Sequence, residues 1–397
     1  MIAAASAVQR PAHARLLVIG ADGGIAHAPR ANLPGFLQPG DLVIANDAAT
    51  LPASLHGVHV RSGMPIEARL AGRSSLVRED VRFAAVLFGA GDWRIRTEDR
   101  PSPPPLAPGD RLALGPLRAT VEGTLGHQRL VALKFEGAAD AVWAGIARHG
   151  RPIQYAYLDR DLALWDVWTP IAALPVAFEP PSAGFALDWK LIGALRARDV
   201  EFATITLAAG ISSTGDPALD ARLPLDEPYR IAESTAAAIR RAKARGGRIV
   251  AVGTTVVRGL EHARGRAGTG LADQRIGPDT RLRVVDAILS GTHEPHESHY
   301  QLLHAFQGDD VLVRASAALE AAHYRTHEFG DSVLLFSSPR PKSISIDRPQ
   351  RRRDNSACST VRSKRPQHHE LEHPAAARER SGAQPGDRRF RRVAPGP

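Results

Sequence analysis

Residues 251–261 constrain the fold of this chain most, because they join a strand to a helix through a glycine turn. The strand is predicted at residues 248–252, a β-branched run typical of a buried strand. The stretch 233–245 before it has the composition and apolar spacing of a helix, which Gly246 and Gly247 end. This order of helix, strand, turn and helix predicts an α/β domain.

The turn itself has the composition of a ligand cradle. Gly253 lets a ligand approach the backbone, and Thr254 and Thr255 add hydroxyl donors and acceptors. The free N–H groups at the start of the next helix, near Val256, point outward from such a turn. A tight strand-to-helix connection without a ligand fits the same residues, and the sequence leaves both readings open.

A second pattern interrupts the α/β pattern between about residues 58 and 135. Short alternating segments at 66–70, 83–87, 111–114 and 129–135 are separated by turn signals, which is typical of a small β-barrel or sandwich. Helix and strand alternate again afterwards, with helices at 139–149 and 188–198 and a strand at 202–207. We therefore expect an α/β domain formed by residues 1–57 and 139–338, with a β-barrel insert at 58–138.

The first residues contain two further strands of the α/β domain. A strand at 15–19 precedes a turn at Asp22-Gly23-Gly24, which predicts a hairpin because no helical pattern follows as a dinucleotide-binding loop requires. The buried strand 42–45 ends in Asn46 and Asp47. The carboxyl ends of such strands are where open α/β sheets bind ligands.

The positive charge of the chain lies almost entirely in its last residues. Residues 339–397 hold 15 Lys or Arg and 6 Asp or Glu, so residues 1–338 carry 36 charges of each sign. The composition of 339–397 predicts a disordered basic tail. It is either an arm that contacts RNA or a segment without a selected role.

The single cysteine, Cys358, excludes an internal disulfide and a cysteine metal site. The sequence shows neither a secretory signal nor an apolar run of membrane-spanning length, so we expect a cytoplasmic protein.

Several short motifs follow one another along the chain: Pro39-Gly40-Asp41 with Asn46-Asp47, Pro181-Ser182-Ala183-Gly184, Gly246-Gly247-Arg248 through Leu260-Glu261, Gly277-Pro278 through His293 and Pro295, and Tyr324-Arg325 with Phe329-Gly330-Asp331. In this order they resemble the motifs of one family, the S-adenosylmethionine:tRNA ribosyltransferase-isomerases of queuosine biosynthesis. The resemblance covers about residues 15–338.

Departures from the family pattern fall on polar positions. Ala48-Ala49 replaces Thr-Arg, Ala186 replaces a histidine, and His296 replaces a lysine. A second histidine is absent from residues 206–214, which read Thr-Leu-Ala-Ala-Gly-Ile-Ser-Ser-Thr. These changes leave two alternatives open: a transferase that uses another acceptor, and a relative that binds S-adenosylmethionine without turnover.

The resemblance implies transfer and isomerisation of the ribosyl group of S-adenosylmethionine to an aminomethyl-deazaguanine base in tRNA, with release of adenine and methionine. Gly253, Thr254 and Thr255 are then the expected S-adenosylmethionine cradle, together with Asn46. Arg258 is expected either to hold the methionine carboxylate or to be a solvated helix residue.

The proton transfers in such a reaction need an acid and a base. His293 is the first candidate because the unperturbed pKa of histidine lies near neutrality. Asp331 and Asp47 are the further candidates, and Asp331 reads equally well as a turn residue.

No metal is expected, because the sulfonium supplies the reactivity. The run from His293 to His299 holds three histidines at spacings of three, unlike a His-Glu-x-x-His zinc helix. Pro295 is predicted in the first turn of a helix that runs to Phe306, with Glu297 near its positive end.

Overall fold

A nine-stranded sheet and a closed six-stranded barrel organise the protein in the computed structural model. The structure describes residues 1–295 and 297–338. The predictions for His296 and for the tail at 339–397 lie outside these residues.

The strands of the described residues are, in chain order, β1 (Ile2–Ala3), β2 (Arg15–Ile19), β3 (Ile25–Pro29), β4 (Leu42–Asn46), β5 (Ala48–Thr50), β6 (Ser54–His59), β7 (Pro65–Gly72), β8 (Arg82–Phe88), β9 (Arg111–Leu114), β10 (Leu117–His127), β11 (Leu130–Phe135), β12 (Leu174–Ala177), β13 (Glu201–Leu207), β14 (Glu227–Ile231), β15 (Ile249–Val252), β16 (Gly268–Ala272), β17 (Ala287–Gly291), β18 (Arg325–Thr326) and β19 (Ser332–Phe336). The α-helices of the same residues are α1 (Ala139–His149), α2 (Leu164–Val167), α3 (Trp189–Arg196), α4 (Pro217–Asp220), α5 (Glu233–Ala244), α6 (Thr254–Ala263), α7 (Ser298–Leu303) and α8 (Asp309–Ala321).

The large sheet has the strand order β16-β14-β13-β4-β15-β17-β19-β2-β3. Strands β13, β4, β15 and β17 are parallel to one another, and β19 is antiparallel to β17. All residues of β4 and β15 are buried, as expected for parallel strands with helices over both faces. The carboxyl ends of four neighbouring strands and the start of β19 therefore lie along one edge of the sheet.

The predicted β-barrel is formed by β6 to β11, closed in the order β10-β11-β8-β7-β6-β9 with antiparallel pairs. Its first strand begins at Ser54, before the boundary predicted at residue 58. At Gly57 a Cβ would lie 1.9 Å from the carbonyl oxygen of Ala113, so only glycine permits the close contact between β6 and β9. The predicted fold class, an α/β domain with an inserted barrel, is confirmed.

The predicted end of α5 is confirmed, because Gly246 adopts a left-handed φ of 75° just after it. Asp188 caps α3 by accepting from the Leu191 N–H at 2.6 Å. The prediction for Pro295 was wrong, because α7 begins only at Ser298 and ends at Leu303. Glu297 is extended at φ −77° and ψ 146°, so it is the N-cap, near the positive helix end as predicted. None of the described helices has the length and apolar character needed to cross a bilayer.

A buried ion cluster lies on the wall of the barrel, on the face opposite the apolar side chains of Ile66 and Ala68. Glu67 accepts from Ser54 Oγ at 2.7 Å and from Arg69 Nε at 2.8 Å, and Arg100 donates to its second oxygen. Burial alone raises the pKa of Glu67, but the two arginines outweigh burial and lower the pKa from 4.5 to about 2. The barrel thus depends on a carboxylate that stays ionised inside the protein.

We predict that Glu67→Gln lowers the free energy of unfolding at pH 7 by about 3 kcal/mol or more, because Arg69 and Arg100 then lack a buried counter-charge. The folded pKa of Glu67 lies below its unfolded value, so this stability is present above pH 4.5 and is lost as the pH falls towards 2. Urea unfolding of the wild type and of Glu67→Gln should show that their free energies of unfolding become more similar below pH 4.5. The exposed Glu79→Gln serves as the control, and a pH-independent difference for Glu67→Gln would contradict the assignment.

Candidate active site

The edge formed by the strand ends brings the sequence-predicted residues together. Asn46 ends β4 and Asp47 follows it, Gly253 follows β15, His293 lies two residues beyond β17, and Asp331 precedes β19. Gly291 pairs with Ser332, which places the start of β19 at the end of β17. Ligands bind at this kind of edge in open α/β sheets.

The Gly253 turn presents unused hydrogen-bond donors. Gly253 adopts φ 96° and ψ 154° and donates its N–H to the Leu289 carbonyl at 2.8 Å. Among the described residues, no acceptor contacts the first N–H groups of α6, at Thr254 and Thr255, and neither threonine hydroxyl is hydrogen-bonded. A Cβ on Gly253 would lie 3.4 Å from the Cβ of Ala183, so the segment 181–184 packs against this turn. The turn has the free groups of a ligand cradle.

Arg258 is buried on α6, and each nitrogen of its guanidinium group donates a hydrogen bond within the protein. It pairs with Glu227 and donates to the carbonyls of Gln274 at 3.2 Å, Leu225 at 3.2 Å and Ala272 at 2.9 Å. These contacts tie α6 to β14 and β16, so no donor of the guanidinium faces open space among the described residues. Its role with a methionine carboxylate stays a prediction.

Asn46 and Asp47 connect β4 to β13. The Asn46 side chain accepts from the Leu207 N–H at 3.0 Å and donates to the Leu207 carbonyl at 2.8 Å. Asp47 accepts from the hydroxyls of Thr204 and Thr206, each at 2.7 Å. Both side chains therefore fix the strand ends that surround the Gly253 turn.

Asp331 is also held by neighbours. Its carboxylate accepts from the Arg15 N–H at 2.8 Å, the Arg15 guanidinium at 3.0 Å and the Arg325 N–H at 2.9 Å. It joins the loop between β18 and β19 to the start of β2. A direct role in proton transfer stays a prediction for Asp331.

His293 belongs to a group that we call the histidine cluster: His293, Glu297 and His299. Its Nε2 lies 2.8 Å from Ser290 Oγ, its Nδ1 lies 3.1 Å from Glu297 Oε2, and its ring centroid is 4.9 Å from that of His299. Burial and the nearby His293 lower the pKa of His299 from 6.5 to about 4. Burial raises the pKa of Glu297, but the hydrogen bond to His293 and the surrounding histidines outweigh it, and the net shift is downward.

Sequence reasoning missed a second group, the acid–tyrosine cluster: Tyr155, Tyr157, Glu179, His327 and Glu328. Tyr155 donates to Glu179, and Tyr157 donates to Glu328. The ring of Tyr157 stacks on Tyr155 at 6.0 Å and on His327 at 4.2 Å. A small cavity is lined by both tyrosines and both glutamates.

The surroundings of Glu179 shift the pKa of its carboxyl group strongly. Burial raises its pKa from 4.5 to about 7, and the charge of Glu328 adds to the rise. The hydrogen bonds from the Ser212 N–H, at 3.0 Å, and from Tyr155 oppose this rise only in part. A sequence signal did exist, because Glu179 is the single charged residue in 174–187 and stands just before the matched segment 181–184.

The loop that connects β18 to β19 acts electrostatically on both clusters. His327 and Glu328 lie in this loop, and His327 adopts φ 67°. The charge of His327 contributes to the lowered pKa of Glu297, and that of Glu328 contributes to the raised pKa of Glu179. The arrangement brings a histidine and a carboxyl group with a raised pKa into one electrostatically coupled region.

The fold and this edge define an α/β protein with a barrel insert and with polar side chains and a glycine turn along the ends of its parallel strands. The chain belongs to the family described as Queuosine biosynthesis protein, whose model matches residues 1–335. The resemblance inferred from the ordered motifs is therefore confirmed.

The chain is similar to proteins named S-adenosylmethionine:tRNA ribosyltransferase-isomerase. It is 31% identical to that of Synechococcus elongatus over 84% of this chain and 92% of the relative. It is 33% identical to that of Parvibaculum lavamentivorans, over 82% of this chain and 93% of the relative. A solved structure of S-adenosylmethionine tRNA ribosyltransferase from Thermotoga maritima matches 84% of this chain and 96% of its own, at 25% identity and a TM-score of 0.45.

We predict that Glu179→Gln increases stability at alkaline pH, because the amide imitates the neutral carboxyl without the cost of a buried charge. The folded pKa of Glu179 is above its unfolded value, so wild-type stability falls as the pH rises from 4.5 through about 7. The variant should exceed the wild type by up to roughly 3 kcal/mol at pH 8.

Urea unfolding at pH 5 and pH 8 measures the difference in free energy of unfolding between Glu179→Gln and the wild type. Exposed Glu320→Gln on α8 is the matched control and should show no such difference between the two pH values. A Glu179→Gln protein that is less stable than the wild type at both pH values would show that Glu179 is ionised in the folded state.

Proposed function

We propose that the protein transfers and isomerises the ribosyl group of S-adenosylmethionine onto the aminomethyl group of 7-aminomethyl-7-deazaguanine in tRNA. The products are epoxyqueuosine-tRNA, adenine and methionine. The observation that carries this proposal is the similarity, over more than four-fifths of the chain, to relatives that bear the name of this enzyme. Because tRNA is the acceptor, the activity is placed in the cytoplasm.

S-adenosylmethionine binds at the Gly253 turn in this proposal. The free N–H groups at the start of α6 and the hydroxyls of Thr254 and Thr255 supply donors for its oxygen atoms. Asn46 and Arg258 are positioning residues, since their side chains hold the neighbouring strands and α6 in place.

His293 and Glu179 handle the protons. The reaction needs a base for the proton made acidic by the sulfonium and an acid that protonates adenine as it leaves. Glu179 has a pKa of about 7 and so can both release and accept a proton near neutrality. His293 is the second group, and Asp47 and Asp331 remain the further candidates at the edge of the large sheet. No metal takes part, because the sulfonium already activates the ribosyl carbon.

Adenine release tests the proposed function. The purified chain is incubated with S-adenosylmethionine alone, with tRNA that carries the deazaguanine precursor, and with small-molecule amines. We expect adenine release only with the precursor tRNA. Release with a small acceptor would favour a transferase of different specificity, and binding without release would favour a non-catalytic relative.

We predict that replacing Gly253 or Thr255 weakens S-adenosylmethionine binding. Gly253→Val blocks the backbone approach and also strains a residue at φ 96°, so binding should be lost together with some stability. Thr255→Val keeps the shape and the backbone and removes one hydroxyl, which should raise the Kd by about five- to tenfold.

Calorimetric titration with S-adenosylmethionine measures both variants, and thermal unfolding checks their folding. The exposed Thr269→Val on β16 is the control and should bind as the wild type does. Unchanged affinity in folded Gly253→Val and in Thr255→Val would exclude the turn from the binding site.

We predict that His293→Ala reduces turnover by about 10²–10⁴-fold with a smaller effect on S-adenosylmethionine affinity, as expected for one acid–base group. Single-turnover adenine release and calorimetry separate the two effects. His149→Ala, at the exposed end of α1, is the control. Wild-type turnover in His293→Ala would transfer the proton role to Glu179, Asp331 or Asp47.

A further inference from the structure

The histidine cluster places three metal-ligand side chains around one point. His293, Glu297 and His299 each offer a ligand atom, and these atoms lie within 4.8 Å of one another. Two of them, His293 Nδ1 and Glu297 Oε2, are already 3.1 Å apart. Imidazole nitrogens and a carboxylate oxygen are the donor set that Zn²⁺ takes in proteins with an open fourth position.

The distances suit a tetrahedral ion. Bonds of about 2.0–2.2 Å from Zn²⁺ to nitrogen and oxygen put neighbouring ligand atoms roughly 3.3 Å apart. The His293–Glu297 pair meets this separation, and the ligand atom of His299 lies within 4.8 Å of both partners. The ligands come from a turn and the start of α7, and they need no common helix face.

The neighbouring contacts orient these ligands and leave them available. Ser290 holds the Nε2 of His293, in the manner of an outer-shell partner that directs the other ring nitrogen. Glu297 is the N-cap of α7, but its side chain makes no capping bond and turns to His293 instead. Neither ring nitrogen of His299 is hydrogen-bonded among the described residues.

The solvent exposure of the histidine cluster and the charges around it also suit the binding of a cation. The side chains of His293 and Glu297 are 17% and 30% exposed, so an ion can enter from solvent. Arg258 influences His299 electrostatically, but its charge is balanced by the buried pair with Glu227.

We propose that His293, Glu297 and His299 form a divalent metal site that binds Zn²⁺ and that bound Zn²⁺ inhibits the enzyme. The ion occupies the Nδ1 lone pair of His293, so His293 can no longer accept or deliver a proton there. The inhibition rests on the proposed function, whereas the binding of Zn²⁺ is independent of it.

Zinc affinity is measured on the full chain by competition with a chromophoric chelator. We expect one Zn²⁺ per chain with a Kd in the micromolar range or tighter, and a loss of at least about 100-fold in His299→Leu and in Glu297→Gln. Zinc-edge X-ray absorption should report nitrogen and oxygen ligands with two imidazoles. The double variant His368→Ala/His369→Ala controls for the paired histidines of the tail and should bind as the wild type does.

Absence of Zn²⁺ binding, or binding that persists in both His299→Leu and Glu297→Gln, would overturn the site. Thermal unfolding verifies that each variant is folded. Glu297→Gln preserves the shape of the side chain, so the test remains decisive if His299→Leu fails to fold.

Inhibition is tested in the adenine-release assay. Zn²⁺ should suppress the wild-type rate, while His299→Leu, compared with its own metal-free rate, should resist the same concentration. Equal sensitivity of the two proteins would refute inhibition through this cluster. If no adenine is released by any protein, the proposed function fails, while chelator competition still decides whether the metal site exists.

Discussion

The parallel hydrogen-bonded alignment of β13, β4 and β15 is the constraint on which the rest of the structure depends. The central strand β4 pairs with β13 through Leu42 to Asn46 and with β15 through Leu42 to Ala45. Parallel pairing makes all three strands end at one edge. The Gly253 turn, the ends of β4 and β13, and the loop to His293 therefore meet there although they are far apart in sequence.

Two buried glutamates show how local surroundings decide the use of a carboxyl group. Glu67 lies between Arg69 and Arg100, so its pKa is about 2 and it stabilises the barrel as an ion. Glu179 lies beside Tyr155 and near Glu328 without a cationic partner among the described residues, and its pKa is about 7. Burial acts in the same direction on both groups, and only the neighbouring charges differ. A buried acid whose ionisation costs stability marks a functional site better than one that is fully paired.

Several residues that the sequence predicts for the site also hold the framework together. Arg258 and Asn46, predicted to bind S-adenosylmethionine, and Asp47 and Asp331, predicted to be catalytic, each use their polar atoms within the protein. Their roles towards a substrate stay predictions. Other residues have free hydrogen-bonding groups or shifted pKa values. They lie in the Gly253 turn, in the histidine cluster and at Glu179.

The sequence by itself determined the α/β class, the barrel insert, the Gly-Thr-Thr turn between β15 and α6, and the family. These follow from local periodicity, glycine and proline positions, and the order of motifs, which do not depend on distant contacts. Most predicted elements agree with the structure within two residues, as for α1 at Ala139–His149 and β2 at Arg15–Ile19. The start of α7 was missed because Glu297 is extended, and its side chain pairs with His293 rather than capping the helix.

Only the tertiary structure decided which polar side chains are hydrogen-bonded within the protein and which remain available to a ligand. Tyr155 and Glu179 are 24 residues apart along the chain, and only the folded structure brings them into hydrogen-bond contact. Burial and neighbouring charge set the pKa of Glu179, and neither can be predicted from the residues next to it in the sequence. The same holds for the histidine cluster, whose ligand atoms converge through a turn that sequence spacing alone does not reveal.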